Sequence, residues 1–264
     1  MDLGVEKLIG RKDGAIGWMI FNNPERRNAV SLDMWRAIPD VLAAFEADPE
    51  VRVIVFTGAG ERAFVAGADI SQFEAERSDA SAEQRYSSAS AAATVAMSGL
   101  SKPSIAMIRG YCIGGGLAVA LTCDMRICTE ESRFAIPAAR LGLGYGFGGV
   151  KALIDVVGPS IAKEILFTAR QFSAEEALRV GLVNRVAPAG ELETLVRDYA
   201  AMIGANAPLT LRAAKLAARE AMRDPERRRL AEVEAAVAAC FDSADFKEGR
   251  TAFMEKRSPQ FRGV

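Results

Sequence analysis

The stretch GYCIGGGLAVALTCD, residues 110–124, places three consecutive glycines before an unbroken apolar run. The segment before it, SIAMIRG (104–110), is short and apolar and predicts a strand, whereas LAVALTCD predicts the start of a helix. A strand, a glycine turn and a helix in succession present free backbone N–H groups at a helix N-terminus, where the dipole favours negative charge. Tight helix–strand packing uses glycines equally well, so this stretch alone leaves both interpretations open.

A second loop of the same kind follows an earlier strand. VRVIVFTG (51–58) is a β-branched run closed by glycine and predicts a buried strand, and the glycine-punctuated loop GAGERAFVAGADI (58–70) comes next. Its AGAD segment (66–69) offers another free N–H among small residues. Two N–H groups from separate strand–helix turns that converge on one oxygen form an oxyanion hole, which needs no titratable side chain.

Composition bounds the class of protein. The 264 residues suffice for one large domain, and 33 basic residues nearly balance 34 acidic ones, which gives no electrostatic reason to expect nucleic acid or an anionic membrane as a partner. No segment approaches the roughly 20 apolar residues that span a bilayer, and the charged N-terminus MDLGVEKLIGRKDG lacks the apolar core of a secretory signal. A cytoplasmic protein is expected.

Residue types that are missing exclude several kinds of chemistry. The chain has no histidine, so Ser-His and Cys-His nucleophiles and histidine-ligated metals are impossible. The four cysteines lack C-x-x-C spacing and predict buried reduced thiols, with no metal site. The glycines of residues 114–116 form no G-x-G-x-x-G motif and no Lys-Ser or Lys-Thr follows them, which argues against a phosphate loop. Any catalysis must use carboxylates, Tyr, Lys, Arg or backbone groups.

Strand and helix signals alternate in the first half of the chain and helical signals dominate after about residue 150. A helix is predicted over 31–48 with Ser31 as N-cap, although Pro39 weakens it locally. Ser173 and Glu176 fit a capping box at the start of another helix. Further predicted elements are strands at 15–23, 125–130 and 133–137 and a helix at 78–98, where the Ala- and Ser-rich composition also fits a mobile segment. This order predicts an α/β architecture with a helical C-terminal part.

Several long motifs, in register over essentially the whole chain, resemble the crotonase (enoyl-CoA hydratase/isomerase) superfamily. They are FTGAGERAFVAGADI, KPSIAMIRGYCIGGGLAVALTCDMRI, RLGLG, AKEILFTARQFSAEEALRVGLVNRV and AFMEKRSPQF. The resemblance implies a crotonase-like spiral of ββα units over 1–198 and a helical C-terminal trimerisation region over 199–264. It implies a homotrimer or a dimer of trimers, and a CoA-thioester substrate, with coenzyme A as part of that substrate and no tightly bound cofactor.

Site residues follow from the positions that match the family's motifs. The resemblance implies that the N–H groups of Ala68 and Gly115 hold the thioester oxygen. It also implies a path for coenzyme A along a set of residues from the N-terminal half and the C-terminal tail: Arg27, Ala29, Ala66, Asp69, Ile70, Phe253 and Lys256. The tail residues often reach the nucleotide from a neighbouring subunit in this family. For Arg27 a solvated surface charge, and for Phe253 simple helix packing, are the alternative interpretations.

The chain departs from the family where hydratases carry two glutamates. Those positions are Ala118 and Ala138 here, and the acidic position of some isomerases corresponds to about Gly146. General acid–base catalysis contributes about 10²–10⁴-fold, so ordinary hydratase activity is expected to be severely impaired. Asp124 is expected to pair with a buried arginine, either Arg126 or Arg140.

Tyr145 is the remaining candidate for side-chain chemistry. A tyrosine falls at this place in the methylmalonyl-CoA decarboxylase branch, to which the chain has a partial likeness, although the histidine of that branch is replaced by Ala68. A phenol there can hydrogen-bond a carboxylate or a developing enolate. Decarboxylation needs no general base, so the reaction is expected to be a decarboxylation or another lyase step. The alternatives are that Tyr145 only fills the pocket wall, and that the protein is a non-catalytic acyl-CoA-binding homologue.

Overall fold

The computed structural model describes residues 3–67 and 80–264. In chain order its strands are β1 Leu3–Val5, β2 Leu8–Asp13, β3 Ile16–Phe21, β4 Val53–Gly58, β5 Ala63–Val65, β6 Ser104–Ile108, β7 Tyr111–Ile113, β8 Met125–Thr129, β9 Arg133–Ala135, β10 Phe172–Ser173 and β11 Arg185–Ala187. The α-helices are α1 Leu32–Ala47, α2 Ala80–Ser98, α3 Gly115–Thr122, α4 Phe147–Thr168, α5 Ala174–Arg179, α6 Leu192–Gly204, α7 Pro208–Ala221, α8 Leu230–Asp242 and α9 Ala244–Glu255. Short 3₁₀ helices lie at Pro24–Arg26, Pro137–Leu141 and Pro225–Arg227.

Two sheets organise the fold. The larger has the order β1-β2-β3-β4-β6-β8-β11, parallel from β3 onward, with β1 and β2 added as an antiparallel edge. The smaller has the order β10-β9-β7-β5, in which β5, β7 and β9 are parallel. The repeated step from a strand of the large sheet to a strand of the small one and then to a helix confirms the predicted α/β fold.

The central strands β3, β4 and β6 of the large sheet are buried on both faces, which explains why they are nearly continuous apolar runs. Along β4, Ile54 and Phe56 point into the larger core, which α1 and α2 help to form, whereas Val53 and Val55 point into a smaller core under α6. All six residues of β4 are buried. This central strand therefore holds the two layers of the protein together.

Helix α1 continues through Pro39, which the sequence indicated as a weak point. Ser31 caps the helix as predicted, because its side chain accepts a hydrogen bond from the N–H of Met34. Its buried face supplies the stabilisation that the proline removes; the buried side chains are Met34, Trp35, Ile38, Val41, Leu42 and Phe45. Ser173 and Glu176 form the predicted capping box at the start of α5, with both reciprocal hydrogen bonds present.

The glycine-rich loop predicted over 58–70 contains a strand, β5. The sequence did not indicate this strand because it is only three residues long.

At the other end of the chain, α6 runs across residue 198 and packs against the large sheet. The helices α7 to α9 follow it, so the C-terminal region is helical. Its role in trimerisation stays a prediction. Within residues 3–67 and 80–264, no helix has the length and apolar character required to cross a membrane.

Candidate active site

The three glycines of residues 114–116 form the start of α3, two of them inside the helix. Gly114 is the N-cap with φ of 57°, a backbone conformation that favours glycine, and its N–H donates to the carbonyl of Ala135 at 2.8 Å. Gly115 is the first helical residue, so its N–H has no acceptor within the helix. The prediction of a glycine turn followed by a helix at Leu117 was therefore wrong by two residues, because the helix begins at Gly115.

Helix α3 lies unusually close to β5 at Gly116. A Cβ on Gly116 would stand 1.9 Å from the carbonyl oxygen of Val65, closer than any real side-chain carbon approaches. The ends of β5 and β7 lie side by side because these strands pair in parallel. The loop after β5 thus passes the N-terminus of α3, and Gly67 adopts a φ of 101° there, near Ile113. Both glycine-bearing loops meet at one edge of the small sheet.

Three of the predicted site residues, Ala68, Asp69 and Ile70, lie outside the described residues. The chain reaches Ala68 directly after Gly67. Their assignment to the thioester and the coenzyme A path stays a prediction.

The segment carrying Arg27 and Ala29 is hydrogen-bonded to the loop that carries Ala66. The N–H of Ala66 donates to the carbonyl of Arg27 at 3.0 Å, and the N–H of Val30 donates to that of Gly67 at 2.9 Å. Arg27 is exposed, its φ is 52°, and its guanidinium lies 5.0 Å from the ring centroid of Tyr111. The structure thus brings Arg27, Ala29 and Ala66 together beside the start of α3.

Asn28 holds this segment in place and was missed by the sequence reasoning. Its φ is 57°, and its buried side-chain amide donates to the carbonyls of Ala59 and Ala63 at 2.9 and 2.7 Å. The amide oxygen accepts from the N–H of Asn23 at 3.0 Å. Asparagine tolerates the left-handed region better than most residues, and the motif NNPERRNAV carried that signal.

The two positions at which hydratases carry glutamates hold small apolar groups, Ala118 and Ala138. Ala118 lies one turn into α3, and Ala138 lies in the 3₁₀ helix that follows β9; both are partly buried. Pro137 is within 3.9 Å of the position of a Cβ on Gly114, so this 3₁₀ helix adjoins the N-terminus of α3. Neither position holds a group that can take or give a proton.

Tyr145 lies in the loop between that 3₁₀ helix and α4, and its ring packs against the larger core. Its hydroxyl is buried and has no hydrogen-bond partner among the described residues. Burial raises the pKa of Tyr145 above its usual value near 10, so the phenol is protonated at neutral pH. A buried, unpaired hydroxyl is uncommon in a protein interior, since it loses water without gaining a partner.

The carboxyl end of α3 is held by Arg126 of β8, which the structure does not pair with Asp124. Its buried guanidinium donates to the carbonyls of Cys123 and Leu182, both at 2.8 Å, and to that of Ala120 at 3.4 Å. A cation at this end also complements the helix dipole. The sequence signal was only an arginine in an otherwise apolar strand.

Asp124 binds elsewhere, so its predicted pairing with Arg126 or Arg140 was wrong. Its carboxylate accepts from Lys215 at 2.7 Å and from the N–H and hydroxyl of Ser104 at 2.7 and 3.0 Å. The physical reason is that the carbonyls around Arg126 already satisfy its guanidinium, whereas α7 brings Lys215 to the carboxylate from far along the chain.

Phe253 and Lys256 are not gathered with the other site residues. Both are exposed on or at the end of α9, Phe253 to 82%. Phe253 lines an apolar groove of about 960 Å³ whose walls come from α7, α8, α9 and the segments beside them. Within one chain, that groove shares no lining residue with the loops around Gly115.

The cysteines are free thiols, as the sequence predicted. Cys112, Cys123 and Cys128 are buried and Cys240 is partly exposed. Burial raises the pKa of Cys123 and of Cys128 to about 12. Across the described ranges, no group of three or more His, Cys, Asp or Glu side chains is arranged to hold a metal ion.

The two-sheet spiral and the paired glycine loops define a protein of the crotonase fold. Residues 11–264 match the sequence model of the family described as enoyl-CoA hydratase/isomerase. The chain belongs to this family. It is therefore a member of a family of acyl-CoA enzymes, as the motifs predicted.

Similar proteins carry hydratase and dehydratase names. The chain is 36% identical to the short-chain-enoyl-CoA hydratase of Clostridium acetobutylicum, with 96% of both chains covered. It is 36% identical to the carnitinyl-CoA dehydratase of Proteus mirabilis, with 95% of this chain and 96% of the relative covered. The crystal structure of enoyl-CoA hydratase from Bacillus anthracis superimposes with a TM-score of 0.91 at 29% identity, covering 98% of this chain and 100% of that one. These names indicate lyases.

Proposed function

We propose that the protein binds a CoA thioester and stabilises its enolate with the backbone N–H groups of Gly115 and Ala68. The observation that carries this proposal is the helix start at Gly115, whose N–H lacks a helical acceptor, next to Gly116, which lies against the carbonyl of Val65 at the end of β5. Preorganised N–H donors of this kind act on the oxygen that gains charge in the transition state. The acyl-CoA substrates named for the relatives support the same substrate class.

Coenzyme A would lie along the segment of Arg27 and Ala29 and the loop of Ala66, Asp69 and Ile70. The hydrogen bonds between Arg27, Ala66, Val30 and Gly67 support a single continuous surface there. Phe253 and Lys256 would contribute from a neighbouring copy, in a homotrimer or a dimer of trimers, because the groove that Phe253 lines is separate from the site within one chain and Lys256 follows it at the end of α9.

The reaction we propose is a lyase step that needs no side-chain base. The substrate is a thioester that carries a carboxylate on its α-carbon. The bond between the α-carbon and the carboxylate carbon breaks, and CO₂ leaves. The electron pair moves into the enolate, whose oxygen the two N–H groups hold, and a proton from water then completes the new C–H bond. The partly buried Ala118 and Ala138 support this step over a carboxylate-assisted addition of water, as does the hydroxyl of Tyr145, which has no partner within residues 3–67 and 80–264.

The hydroxyl of Tyr145 would donate a hydrogen bond to the departing carboxylate. It is protonated at neutral pH, which is the form a donor requires. Hydrogen bonds to charged groups are worth about 1.5–3 kcal/mol, so Tyr145→Phe is expected to lower kcat/KM by about tenfold or more.

The test measures turnover of crotonyl-CoA, a 3-enoyl-CoA and methylmalonyl-CoA by the wild-type protein. CO₂ release from methylmalonyl-CoA with little hydration of crotonyl-CoA is the expected result. Rapid hydration of crotonyl-CoA would overturn the decarboxylation proposal. Binding of CoA thioesters without turnover of any of them would identify a non-catalytic acyl-CoA-binding homologue instead.

A pair of substitutions at one position tests the oxyanion donor. Gly115→Pro removes the N–H at the first helical position, where proline is tolerated, and Gly115→Ala adds a Cβ but keeps the N–H. We expect kcat to fall about 10²–10³-fold in the proline variant relative to the alanine variant. Equal activity of the two folded variants would exclude this N–H from catalysis.

Restoring the glutamates tests the acid–base pair. If only the two carboxylates are missing, the double variant Ala118→Glu, Ala138→Glu gains hydration of crotonyl-CoA over the wild-type protein. No gain in a folded double variant would mean that the acyl pocket has changed beyond these two positions.

A further inference from the structure

The loop and helix start over 142–149 hold five glycines, and one of them differs from the rest. A Cβ placed on Gly144, Gly146 or Gly148 would meet no atom within 4 Å. A Cβ on Gly149 would stand 2.7 Å from Cε1, 3.1 Å from Cζ and 3.3 Å from the hydroxyl oxygen of Tyr145. The space that a side chain at 149 would fill is therefore occupied by the phenol ring.

Gly149 lies in the first turn of α4, where the backbone is fixed. The helix begins after Gly146, and the N–H of Val150 donates to the carbonyl of Gly146 at 3.1 Å. A carbon 2.7 Å from a ring carbon is sterically forbidden, so with alanine at 149 the ring must move rather than the helix. Glycine is otherwise a poor helix residue, and no packing need accounts for it here except the ring of Tyr145.

We propose that Gly149 is a positioning residue that lets the Tyr145 ring lie against α4 and so holds its hydroxyl in the buried position, where no group of the described part of the chain pairs with it. The role of this hydroxyl in the reaction rests on the proposed function, whereas the contact between ring and glycine does not. An alanine at 149 displaces the ring, and the hydroxyl turns toward water or toward other partners. The variant then keeps the phenol, but its hydroxyl no longer lies in the buried position.

The matched control is the neighbouring glycine. Gly148→Ala brings the same gain in helix propensity at the adjacent position, and its Cβ meets nothing within 4 Å. Both variants are expected to keep the far-UV circular dichroism of the wild-type protein. Any difference between them therefore reports the contact with Tyr145.

The first readout needs no substrate. The four tyrosines are titrated by phenolate absorbance, and Tyr145→Phe in each background isolates the curve of Tyr145. In the wild-type protein and in Gly148→Ala, Tyr145 is expected to ionise above the usual value, because burial raises its pKa. In Gly149→Ala its curve moves down toward the ordinary value near 10. Identical curves for Gly148→Ala and Gly149→Ala would overturn the proposal.

The second readout is the kcat/KM of whichever CoA thioester the protein turns over. Gly149→Ala is expected to fall to the level of Tyr145→Phe, and the double variant to show no further loss, since both changes remove one placed hydroxyl. Gly148→Ala should stay within about twofold of wild type. A shifted titration with unchanged activity would support the seating of the ring and overturn the use of the hydroxyl in the proposed reaction, so the two failures are distinguishable.

Discussion

Gly116 shows at the scale of one residue how closely the two glycine-bearing loops approach. The carbonyl of Val65 lies where any side chain at 116 would begin, so this glycine answers a packing need. Gly114 answers a conformational need, because its φ of 57° is strained for other residues. The middle residue, Gly115, is the first helical residue, and its N–H is one of those at the start of α3 that lack an acceptor within the helix. Of the three adjacent glycines, Gly114 and Gly116 thus have different physical reasons to be glycine, whereas the N–H of Gly115 would be present in any residue except proline.

Gly116→Ala is expected to lower the free energy of unfolding by about 3 kcal/mol, since overpacking against a backbone atom cannot be relieved by a side-chain rotation. Urea denaturation followed by circular dichroism measures the loss. Gly148→Ala, which places its Cβ in open space, serves as the control and should change stability little. A stable Gly116→Ala protein would mean that α3 does not pack this closely on β5.

At the scale of the element, α3 is fixed at both ends. Gly116 presses its first turn against β5, and Arg126 satisfies the carbonyls of its last turn. Buried arginines are usually paired with carboxylates, but in the described part of the chain the Arg126 guanidinium donates to carbonyl oxygens instead. The orientation of the helix, and hence of its free N-terminal N–H groups, depends on this buried cation.

Arg126→Met should therefore destabilise the protein by about 3 kcal/mol, because three carbonyls lose a charged donor in the interior. Chemical denaturation quantifies the effect. Arg185→Met is the comparison, since Arg185 is exposed and its guanidinium donates, among the described residues, only to the carbonyl of Asn184 next to it. Equal stability of the two variants would show that the guanidinium contributes nothing to holding α3.

Local signals predicted the elements better than their connections. The capping box at Ser173 and Glu176 and the buried strand β4 were readable because their signals lie within a few residues. The partner of Asp124 was not readable, because Lys215 follows it by 91 residues and arrives only through the packing of α7. The meeting of Arg27 and Ala66 came from the family resemblance, since nothing in either segment indicates the hydrogen bond between them.

At the scale of the whole molecule, the larger core excludes three of the four thiols from solvent. Cys112, Cys123 and Cys128 are buried, and burial raises the pKa of each thiol, to about 12 for Cys123 and Cys128. Cys240 instead lines the apolar groove between the C-terminal helices, beside exposed Phe241. The accessibility of the Cys240 thiol therefore shows whether another molecule covers that groove.

A thiol reagent at pH 8 should label one cysteine rapidly in dilute native protein and all four after denaturation in urea, because a thiolate is needed and burial suppresses it in the core. Cys240→Ser should abolish the rapid phase. If copies associate as proposed, Cys240 should be labelled more slowly as the protein concentration rises. Light scattering of the same samples follows the association. Two or more rapid thiols in native protein would contradict the buried core.

The free N–H at the start of α3 belongs to the main chain, so among the common amino acids only proline at Gly115 deletes it. Side chains at 118, 138 and 145 can accordingly be exchanged without loss of that donor. A combinatorial library over these three positions would keep one constant electrophile-binding group in every folded member. Such a library would show separately what the backbone N–H contributes and what the exchanged side chains contribute through proton transfer. It would also allow variants of one fold to be selected for water addition or for carbon–carbon cleavage.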